Sequence, residues 1–439
     1  MKKLPISISS FGELITRNCV YVDKTRHIYK MVTEGKFYFL SRPRRFGKSL
    51  LVSTLQYLFE GRKDLFKGLW IENTDWGWTP HPVVKIDFSE ISATTPEILR
   101  ASLIERLQAL GQSAGVAVKS TILRNGFTDL IISLHDKHRQ KVAVLIDEYD
   151  QPLISHLGKG TAALEIAKQN RDVLREFFGV LKGGNVNEAL QFVFLTGISK
   201  FARVSIFSEL NNLNDLTMQD FYSAILGYTD EELRQHFDEH VKQLSSQLNM
   251  PVEETFLQIR DWYNGYRFSD LDLKVYNPFS VLNLLYQSKF KSYWFETATP
   301  SFLVNLIKEK KYPVADLENL QLQSTSFSTY DLEHLDLEPL LFQTGYITIR
   351  GFDGDRYHFG YPNQEVKNSF LGLLYKSFAE IPSTSLREQY SRLHEYLATE
   401  DLDRFIETAN AILAAIPYPH ISQKKTRAAN EHYYHTVFT

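Results

Sequence analysis

Short runs of consecutive apolar residues alternate with stretches of helical periodicity over the first half of the chain. Runs that are apolar at every position are typical of strands buried on both faces. They lie at residues 37–40 and 142–146, and the similar runs 83–88 and 191–195 are apolar except at Lys85, Asp87 and Gln191. Helical stretches are predicted at residues 50–59, 96–110 and 164–181. The alternation predicts an α/β fold with a parallel sheet that is covered by helices on both faces.

Beyond residue 226 the pattern changes. Residues 227–275 have the periodicity of polar-faced helices and begin at the turn GYTDEEL. Residues 276–384 mix helices with short strands predicted at 345–350 and 356–360. A further helical stretch, residues 385–416, leads to prolines at 417 and 419, a pattern typical of a linker. The sequence therefore predicts a core of residues 1–226 followed by several smaller parts.

Composition narrows the class of protein. The 439 residues include 49 Lys and Arg against 52 Asp and Glu, so the net charge of −3 gives no overall attraction to nucleic acid or an anionic membrane. Cys19 is the single cysteine, which excludes a disulfide framework and a thiolate metal site. No apolar run approaches the roughly 20 residues that span a bilayer, and the first residues lack the apolar core of a signal peptide. We expect a cytoplasmic protein without a membrane segment.

The segment SRPRRFGKSL, residues 41–50, directly follows the first apolar run. A phosphate-binding loop needs a strand, a run of backbone N–H groups around the anion, and a helix N-terminus behind it. Gly47 permits close approach, Lys48 would reach the β- and γ-phosphates, and the Ser49 hydroxyl would complete a Mg²⁺ shell. Arg42 stands where the motif has its first glycine, so we expect amides from about Arg45 onward to form the cradle. Taken alone, the segment also fits a basic turn between a strand and a helix.

A second feature favours the nucleotide site. Asp147 and Glu148 directly follow the apolar run 142–146, at the sheet edge where open α/β sheets bind ligands. Asp147 is predicted to hold Mg²⁺ together with Ser49, and Glu148 to orient or deprotonate the attacking water, with Lys48 as the other catalytic residue. The alternative is that the two carboxylates begin a solvated loop. We therefore predict ATP and Mg²⁺ as cofactors. The predicted nucleotide-binding residues are Arg45, Phe46, Gly47, Lys48, Ser49 and Leu50.

The segment after the run 191–195 offers candidates for sensing the nucleotide. Thr196 or Ser199 could supply a polar sensor of the γ-phosphate, and a hydroxyl that caps the turn explains either residue equally well. Arg203 is a candidate charge-stabilising finger, although a surface arginine is the simpler interpretation.

With these motifs placed, the chain resembles the bacterial AAA-ATPase-like proteins that precede a PD-(D/E)XK nuclease domain. The resembling segments follow one another in the family's order along nearly the whole chain. They include LPISISSFGELI, YVDKT, FLSRPRRFGKS, LIDEYDQPL, LTGISKFARVSIFSELNNLNDLT, GYTDEEL, WYNGYRF, YNPFSVLNLL, FQTGYITI and YPNQEV. The loop RPRRFGKS looks like this family's own form of the phosphate loop, which favours the nucleotide site over the basic turn.

The resemblance implies a P-loop ATPase core at residues 1–226, a helical lid-like segment at 227–275 and a winged-helix-like α+β region at 276–384. A helical linker at 385–416 and the start of a nuclease domain at 417–439 would follow. Residues 431–434, EHYY, resemble the first helix of that nuclease, and the strands with its metal-binding acids are absent. We therefore expect a truncated chain without nuclease activity of its own.

Three other segments have a functional and a structural interpretation. Asp355, Glu365 and Lys367 have the spacing of a nuclease site, but Pro362 intervenes and the stretch matches YPNQEV of the domain before the nuclease. The segment WYNGYRF, residues 262–268, could stack on a base, although a turn packed by aromatic residues is the favoured interpretation. Residues 21–24, YVDK, could line the adenine pocket or pack against the first strand.

Three functions remain open at this level. The leading prediction is a Mg²⁺-dependent regulatory ATPase that controls a C-terminal nuclease. The alternatives are a nucleotide-held switch or scaffold with little hydrolysis, and a nucleic-acid-binding effector. The absence of an Asn-Lys-x-Asp guanine signature favours ATP over GTP. The predicted partners are ATP and, through the nuclease, DNA or RNA, and a homo-oligomer stays open.

Overall fold

The computed structural model describes residues 1–200, 212–298, 301–310, 317, 320–323, 336–378, 392–393, 395–397, 399 and 401–414. Five parallel strands form the main sheet in the order β2-β3-β4-β1-β5. They are β1 Phe37–Ser41, β2 Val83–Asp87, β3 Val142–Asp147, β4 Leu190–Gly197 and β5 Asn214–Asp215. The order reverses at β1, because the chain leaves β1 for the far edge and returns through β3 and β4. Such a reversal creates a crevice at the carboxyl ends of the strands.

Eight helices accompany the strands in the described part of this core. They are α1 Phe11–Thr16, α2 Thr25–Glu34, α3 Lys48–Phe59, α4 Pro96–Ser113, α5 Leu123–His138, α6 Gln151–Ile154, α7 Thr161–Gly179 and α8 Gly184–Ala189. Helix α3 packs on β2, β3 and β4. Helix α5 packs on β3 and also contacts α4, α7 and α8. Every residue of β1 and β3 is buried, as expected of strands covered on both faces. The predicted α/β fold with a parallel sheet is confirmed.

The hydrophobic pattern predicted four of the five strands to within two residues at either end, because each is rich in apolar residues. Strand β2 alternates half-buried and buried positions, which suits its place at the edge of the sheet. Strand β5 has only two residues, too few for a hydrophobic pattern to predict it. Helix α5 was also missed, although its buried face follows helical periodicity.

A second hydrophobic cluster is built from three helices and the N-terminal segment. Helices α9 Asp230–Leu248, α10 Val252–Tyr263 and α11 Pro278–Gln287 supply most of it, and Val20, Val22, Tyr276 and Tyr293 complete it. Helix α9 begins with a capping box, in which the Thr229 hydroxyl accepts from the Glu232 N–H and the Glu232 carboxylate accepts from the Thr229 N–H. The cluster thus continues into residues beyond 275, where the sequence predicted a boundary.

Most of the remaining described segments pack against the core around the main sheet. They comprise the hairpin β6 Tyr266–Arg267 and β7 Lys274–Val275, helices α12 Tyr293–Ala298 and α13 Ser301–Glu309, β8 Gln321–Gln323, α14 Leu337–Thr344, β9 Thr348–Phe352, β10 Arg356–Gly360, α15 Gln364–Phe378 and α16 Leu402–Ala414. Strands β8, β10 and β9 form an antiparallel sheet in that order. Residues of β6, α12, α14, β9 and α15 share one continuous hydrophobic cluster with the main sheet.

One predicted strand begins later than expected. The sequence predicted a strand at 345–350, whereas β9 begins at Thr348 because Gly345 ends α14 with φ +90°. The winged-helix-like interpretation of this region stays a prediction, as do the other domain boundaries. The nuclease start predicted at 417–439 lies outside the described residues. Of the helices that the structure describes, none combines the length and the apolar character that crossing a membrane requires.

Candidate nucleotide-binding site

The loop between β1 and α3 has backbone of alternating handedness. Gly47, directly before α3, has φ +97°, and Arg45 has φ +66°, whereas Phe46 between them has a negative φ. Such alternation turns successive N–H groups toward one side and forms an anion-binding concavity. Within the described residues, the backbone N–H groups of residues 45–50 have no acceptor in the protein. The first turn of α3 therefore presents unpaired donors where the sequence predicts a phosphate.

Lys48 lies across this loop and is 5% exposed. Its ammonium donates to the carbonyl oxygens of Arg42 at 3.0 Å and Pro43 at 3.1 Å. Burial lowers the pKa of Lys48, and the carboxylates of Glu148 and Asp147 counteract that shift. The charge of Lys48 is therefore held between the loop and the acidic end of β3.

Arg42, which replaces the motif's first glycine, points away from the cradle. Its buried guanidinium donates to the carbonyls of Thr217 at 2.8 Å and Tyr222 at 3.1 Å, and its Cζ lies 4.2 Å from the centre of the Phe268 ring. Burial lowers the pKa of Arg42 to about 9, against the opposing effect of Asp215. The departure from the motif thus supplies an anchor that ties the base of the loop to the segment after β5.

The side chains of Phe46, Arg45 and Leu50, three of the predicted nucleotide-binding residues, pack against other parts of the protein. Phe46 is buried edge-on against Tyr266 and Phe268, with ring centres 4.8 and 5.4 Å away. The side chain of Arg45 lies over the Phe279 ring at 4.9 Å. Phe46 can therefore offer the cradle only its backbone N–H group. Leu50 lies in the first turn of α3, partly buried against the core.

Asp147 ends β3, and the side chain of Ser49 lies near its carboxylate. Asp147 is 1% exposed, and burial raises its pKa to about 6 against the effects of Ser49 and Lys48. The structure thus brings both predicted metal ligands together, although β4 separates their strands. A buried carboxylate with a raised pKa beside a buried lysine is a common sign of a functional site.

Glu148 follows in an unusual backbone conformation. Its φ is +50°, in the left-handed region that glutamate rarely adopts, and its N–H donates to Asp147 Oδ1 at 3.0 Å. Glu148 is partly exposed, so its carboxylate can reach solvent at the carboxyl edge of the sheet. Strain of this kind is characteristic of active sites.

Asp150 is a site residue that sequence reasoning missed. Its buried carboxylate accepts from the N–H of Ile198 at 3.1 Å and from the N–H and hydroxyl of Ser199 at 2.7 and 2.8 Å. Burial raises the pKa of Asp150, and the bonds from Ser199 oppose this shift. Gly197 is required here, because a Cβ would lie 2.5 Å from the Asp150 carboxylate. Asp150 therefore joins the acidic segment after β3 to the end of β4.

The two candidate sensors have backbone or carboxylate partners. The buried Thr196 hydroxyl donates to the carbonyl of Leu40 at 2.7 Å, which links β4 to β1. The Ser199 hydroxyl donates to Asp150, as described above. Both hydroxyls therefore have a structural function in this structure, and the sensor assignment of Thr196 stays a prediction. Arg203, the candidate finger, lies outside the described residues.

The segments with two interpretations have structural surroundings. Glu365 begins α15 and is fully buried, whereas Asp355 lies in the exposed turn between β9 and β10, so the nuclease-like spacing does not assemble a site. In WYNGYRF, Tyr263 and Tyr266 are buried, which supports a turn packed by aromatic residues. Of the segment YVDK, Lys24 is buried and pairs with Glu232 at 2.6 Å.

The residues present fit a Mg²⁺ ion that arrives with a nucleotide. Among the residues that the structure describes, no three His, Cys, Asp or Glu side chains are grouped to hold a metal by themselves. Ser49 and Asp147 offer oxygen atoms, the ligands that Mg²⁺ prefers, and a phosphate-loop metal takes further ligands from the phosphates and water. The pair is therefore suited to a shared metal site and unsuited to a metal cage made by protein alone.

Comparisons with known proteins agree with this geometry at a coarse level. The AAA-ATPase-like family model, described as predicted AAA-ATPase, matches residues 5–207. A protein of Azotobacter chroococcum mcd 1, named "Uncharacterized protein in vnfD 5′region", is 36% identical over 443 residues. The alignment covers 100% of this chain and 82% of that protein. No solved structure matches the chain.

Proposed function

This chain belongs to the AAA-ATPase-like family, and on that premise we propose that it binds ATP with Mg²⁺ and hydrolyses it. One observation carries the proposal. The loop with left-handed Arg45 and Gly47 leaves a row of N–H groups unpaired, directly beside Lys48 and the Ser49–Asp147 pair. Donors of this kind, a mobile cation and two oxygen ligands are what binding and transfer of a phosphoryl group require.

In this proposal each site residue has one task. The backbone N–H groups of residues 45–50 bind the phosphates, and Lys48 exchanges its bonds with the loop carbonyls for bonds with the β- and γ-phosphates. Ser49 and Asp147 hold Mg²⁺, which when bound neutralises charge on the phosphates. Asp147 gains from that arrangement, because a cation at the carboxylate offsets the cost of burying its charge.

Glu148 is the proposed catalytic carboxylate. Its backbone places the side chain next to Asp147, at the open edge of the sheet, where it can accept a proton from water or orient that water for attack. Asp150, two residues after Glu148, is hydrogen-bonded to Ser199 just after β4. In this proposal these bonds fix the backbone next to Glu148 and so the direction of its side chain. Thr196 is proposed as the sensor only if nucleotide binding releases its bond to Leu40.

The regulatory part of the proposal concerns the segments downstream. Aromatic residues after position 260 contact the phosphate loop directly, so a change in the loop on nucleotide binding would reach them. That the downstream parts control a nuclease acting on DNA or RNA is proposed from the resemblance in sequence alone. A homo-oligomer, in which a neighbour supplies a charge-stabilising arginine, belongs to the same proposal.

Binding is tested with Lys48→Ala. We expect ATP affinity to fall about 10- to 100-fold, because charged hydrogen bonds to phosphate are lost. The matched control is Lys67→Ala, an exposed lysine outside the loop, which should bind ATP like the parent. Calorimetric titration measures both, and circular dichroism establishes that each variant is folded. Unchanged affinity in folded Lys48→Ala would contradict the site assignment.

Hydrolysis is tested with Glu148→Gln, which keeps the shape of the side chain and removes its charge. We expect ATP binding to persist while turnover falls about 10²- to 10⁴-fold. Glu188→Gln, on the exposed face of α8, is the control. Phosphate release is measured with and without DNA. If neither the parent nor the variant turns over ATP while both bind it, the nucleotide-held switch replaces the ATPase.

A further inference from the structure

Trp294 connects the downstream region to the phosphate loop by a polar contact. It lies in the first turn of α12, is 1% exposed, and its indole N–H donates to the carbonyl of Arg44 at 3.0 Å. The two residues are 250 positions apart in the chain. A buried indole N–H usually requires such an acceptor, and here the acceptor lies in the loop itself.

Trp294 is itself held by a buried carboxylate. Glu365, at the start of α15, is fully buried and accepts from the backbone N–H of Trp294 at 2.7 Å. Its other oxygen accepts from the Ser280 hydroxyl at 2.8 Å. The carboxylate therefore caps the first turn of α12 and fixes the position of the tryptophan. Packing against Tyr346, at 5.3 Å between ring centres, restricts the indole further.

The contact determines the direction of one cradle donor. The carbonyl of Arg44 and the N–H of Arg45 belong to one planar trans peptide unit and point in opposite directions. When the indole binds the carbonyl, the N–H of Arg45 is turned away from Trp294. Arg45 is the first left-handed residue of the concavity, so its N–H is the donor at which the cradle begins.

Close backbone packing beside this contact limits other arrangements of the loop. Gly345, which ends α14, has φ +90°, and a Cβ there would lie 2.9 Å from Pro43 Cβ. Downstream segments thus press on Pro43 and bind the carbonyl of Arg44, the two residues directly before the cradle. The loop cannot move its first peptide units independently of Trp294.

We infer that Trp294, oriented by Glu365, is a positioning residue for the phosphate loop: it sets the direction of the Arg45 N–H and thereby the affinity for the nucleotide phosphates. This inference rests on the proposed function, since it concerns the same loop. It assigns a task to residues far outside the phosphate motif, and it makes nucleotide affinity depend on the position of α12 and α15.

The test is Trp294→Phe, which keeps an aromatic ring and removes the N–H donor. We expect the Kd for ATP and the KM to rise about tenfold, the equivalent of one hydrogen bond, with kcat at saturating ATP changed less than about twofold. A residue that only supports the fold would lower stability without this split between KM and kcat. Trp262→Phe, which packs on Tyr263 and Phe290, is the matched control and should bind ATP like the parent.

Glu365→Gln is the second variant, because it leaves the indole intact and replaces the carboxylate that orients it. We expect the same direction of change in Kd, since a neutral amide oxygen accepts from the Trp294 N–H more weakly than a carboxylate oxygen does. Thermal melting identifies folded variants, and Glu365→Gln decides if Trp294→Phe does not fold.

The outcomes separate the two proposals. If the parent binds ATP and folded Trp294→Phe and Glu365→Gln bind it equally well, the positioning inference is overturned and the proposed function stands. If the parent binds no nucleotide, both fail. A tenfold loss of affinity in both variants with kcat retained supports the inference.

Discussion

The acidic end of β3 is held by the neighbouring strand β4, whereas the phosphate loop is held by segments that follow much later in the chain. Asp150 binds Ile198 and Ser199, and all three residues lie within the core around the main sheet. The loop contacts Trp294 through the carbonyl of Arg44, and Phe46 packs between aromatic rings of the β6 segment. One half of the candidate site is therefore supported locally and the other half from a distance.

This difference bears on where the functional unit ends. The family model covers residues 5–207, which includes every predicted site residue and the supports of Asp147 and Glu148. The supports of the phosphate loop lie beyond it, at Phe268, Trp294 and Gly345. A segment that contains all of the chemical groups can thus lack the contacts that hold half of them in place.

Cutting the chain after residue 226 is the strongest test of whether the phosphate loop needs support from later segments. The fragment keeps β1 to β5 and loses Phe268, which packs on Arg42 and Phe46, so buried aromatic and charged groups would meet water. We expect a fragment that either fails to fold or folds without measurable ATP binding. Circular dichroism and calorimetric titration against the full chain decide. Binding by the fragment at the parent's affinity would show that the loop needs no distant support.

Phe46→Ala removes the ring that joins the loop to the β6 segment. We expect the variant to lose about 3–5 kcal/mol of stability, the usual cost of truncating a buried phenylalanine, and to bind ATP more weakly. Phe127→Ala is the matched control, because Phe127 is equally buried but stacks on Phe177 at 4.3 Å, away from the loop. It should lose similar stability and keep its ATP affinity. Equal Kd values for the two folded variants would contradict distant support.

Asp150→Asn is the corresponding change at the acidic end. An amide cannot accept all three hydrogen bonds from Ile198 and Ser199, so about 1–3 kcal/mol of stability should be lost. We expect turnover to fall at least about tenfold, because the segment carrying Glu148 loses its attachment, while ATP affinity stays near the parent's value. Asp136→Asn, at an exposed position of α5, serves as the control. If Asp150→Asn raises the Kd for ATP without lowering kcat, the prediction is contradicted.

His27 allows a smaller effect to be measured outside both halves of the site. Burial lowers its pKa to about 4, with Lys24 adding to the shift and Glu232 opposing it. Between pH 6.5 and 4 the unfolded chain binds more protons at this position, so stability is lost as the pH falls through that range. Because the ring is partly exposed, we expect about 2 kcal/mol or less. In His27→Gln, urea unfolding should show a smaller loss over this range, with ATP binding at neutral pH unchanged.

The sequence predicted the chemical groups of the site better than their supports. Lys48, Ser49, Asp147 and Glu148 follow buried strands directly, so local pattern and sheet topology together place them at one edge. The roles of these residues remain predictions. Asp150 escaped notice because its partners come from another strand, and no spacing within the acidic segment announces them.

The distant supports could be recognised only in part. Contacts between residues 250 positions apart leave no periodic signal in a single sequence, so the bond from Trp294 to Arg44 could not be predicted. The segments WYNGYRF, FQTGYITI and YPNQEV were nevertheless singled out by the resemblance. Two of these segments are in direct contact. The side chain of Asn363, in YPNQEV, donates to the carbonyl of Asn264, in WYNGYRF, at 2.9 Å.

The left-handed backbone of Glu148 has a consequence for which substitutions this position tolerates. A residue without a side chain, or asparagine, adopts φ +50° at less cost than glutamate, by roughly 1 kcal/mol. In a library randomised at this codon, selection for folded protein should therefore enrich glycine and asparagine. Selection for ATP turnover should instead retain glutamate. The two enrichment profiles would diverge at position 148, whereas at a buried position of β3 such as Val144 they should coincide.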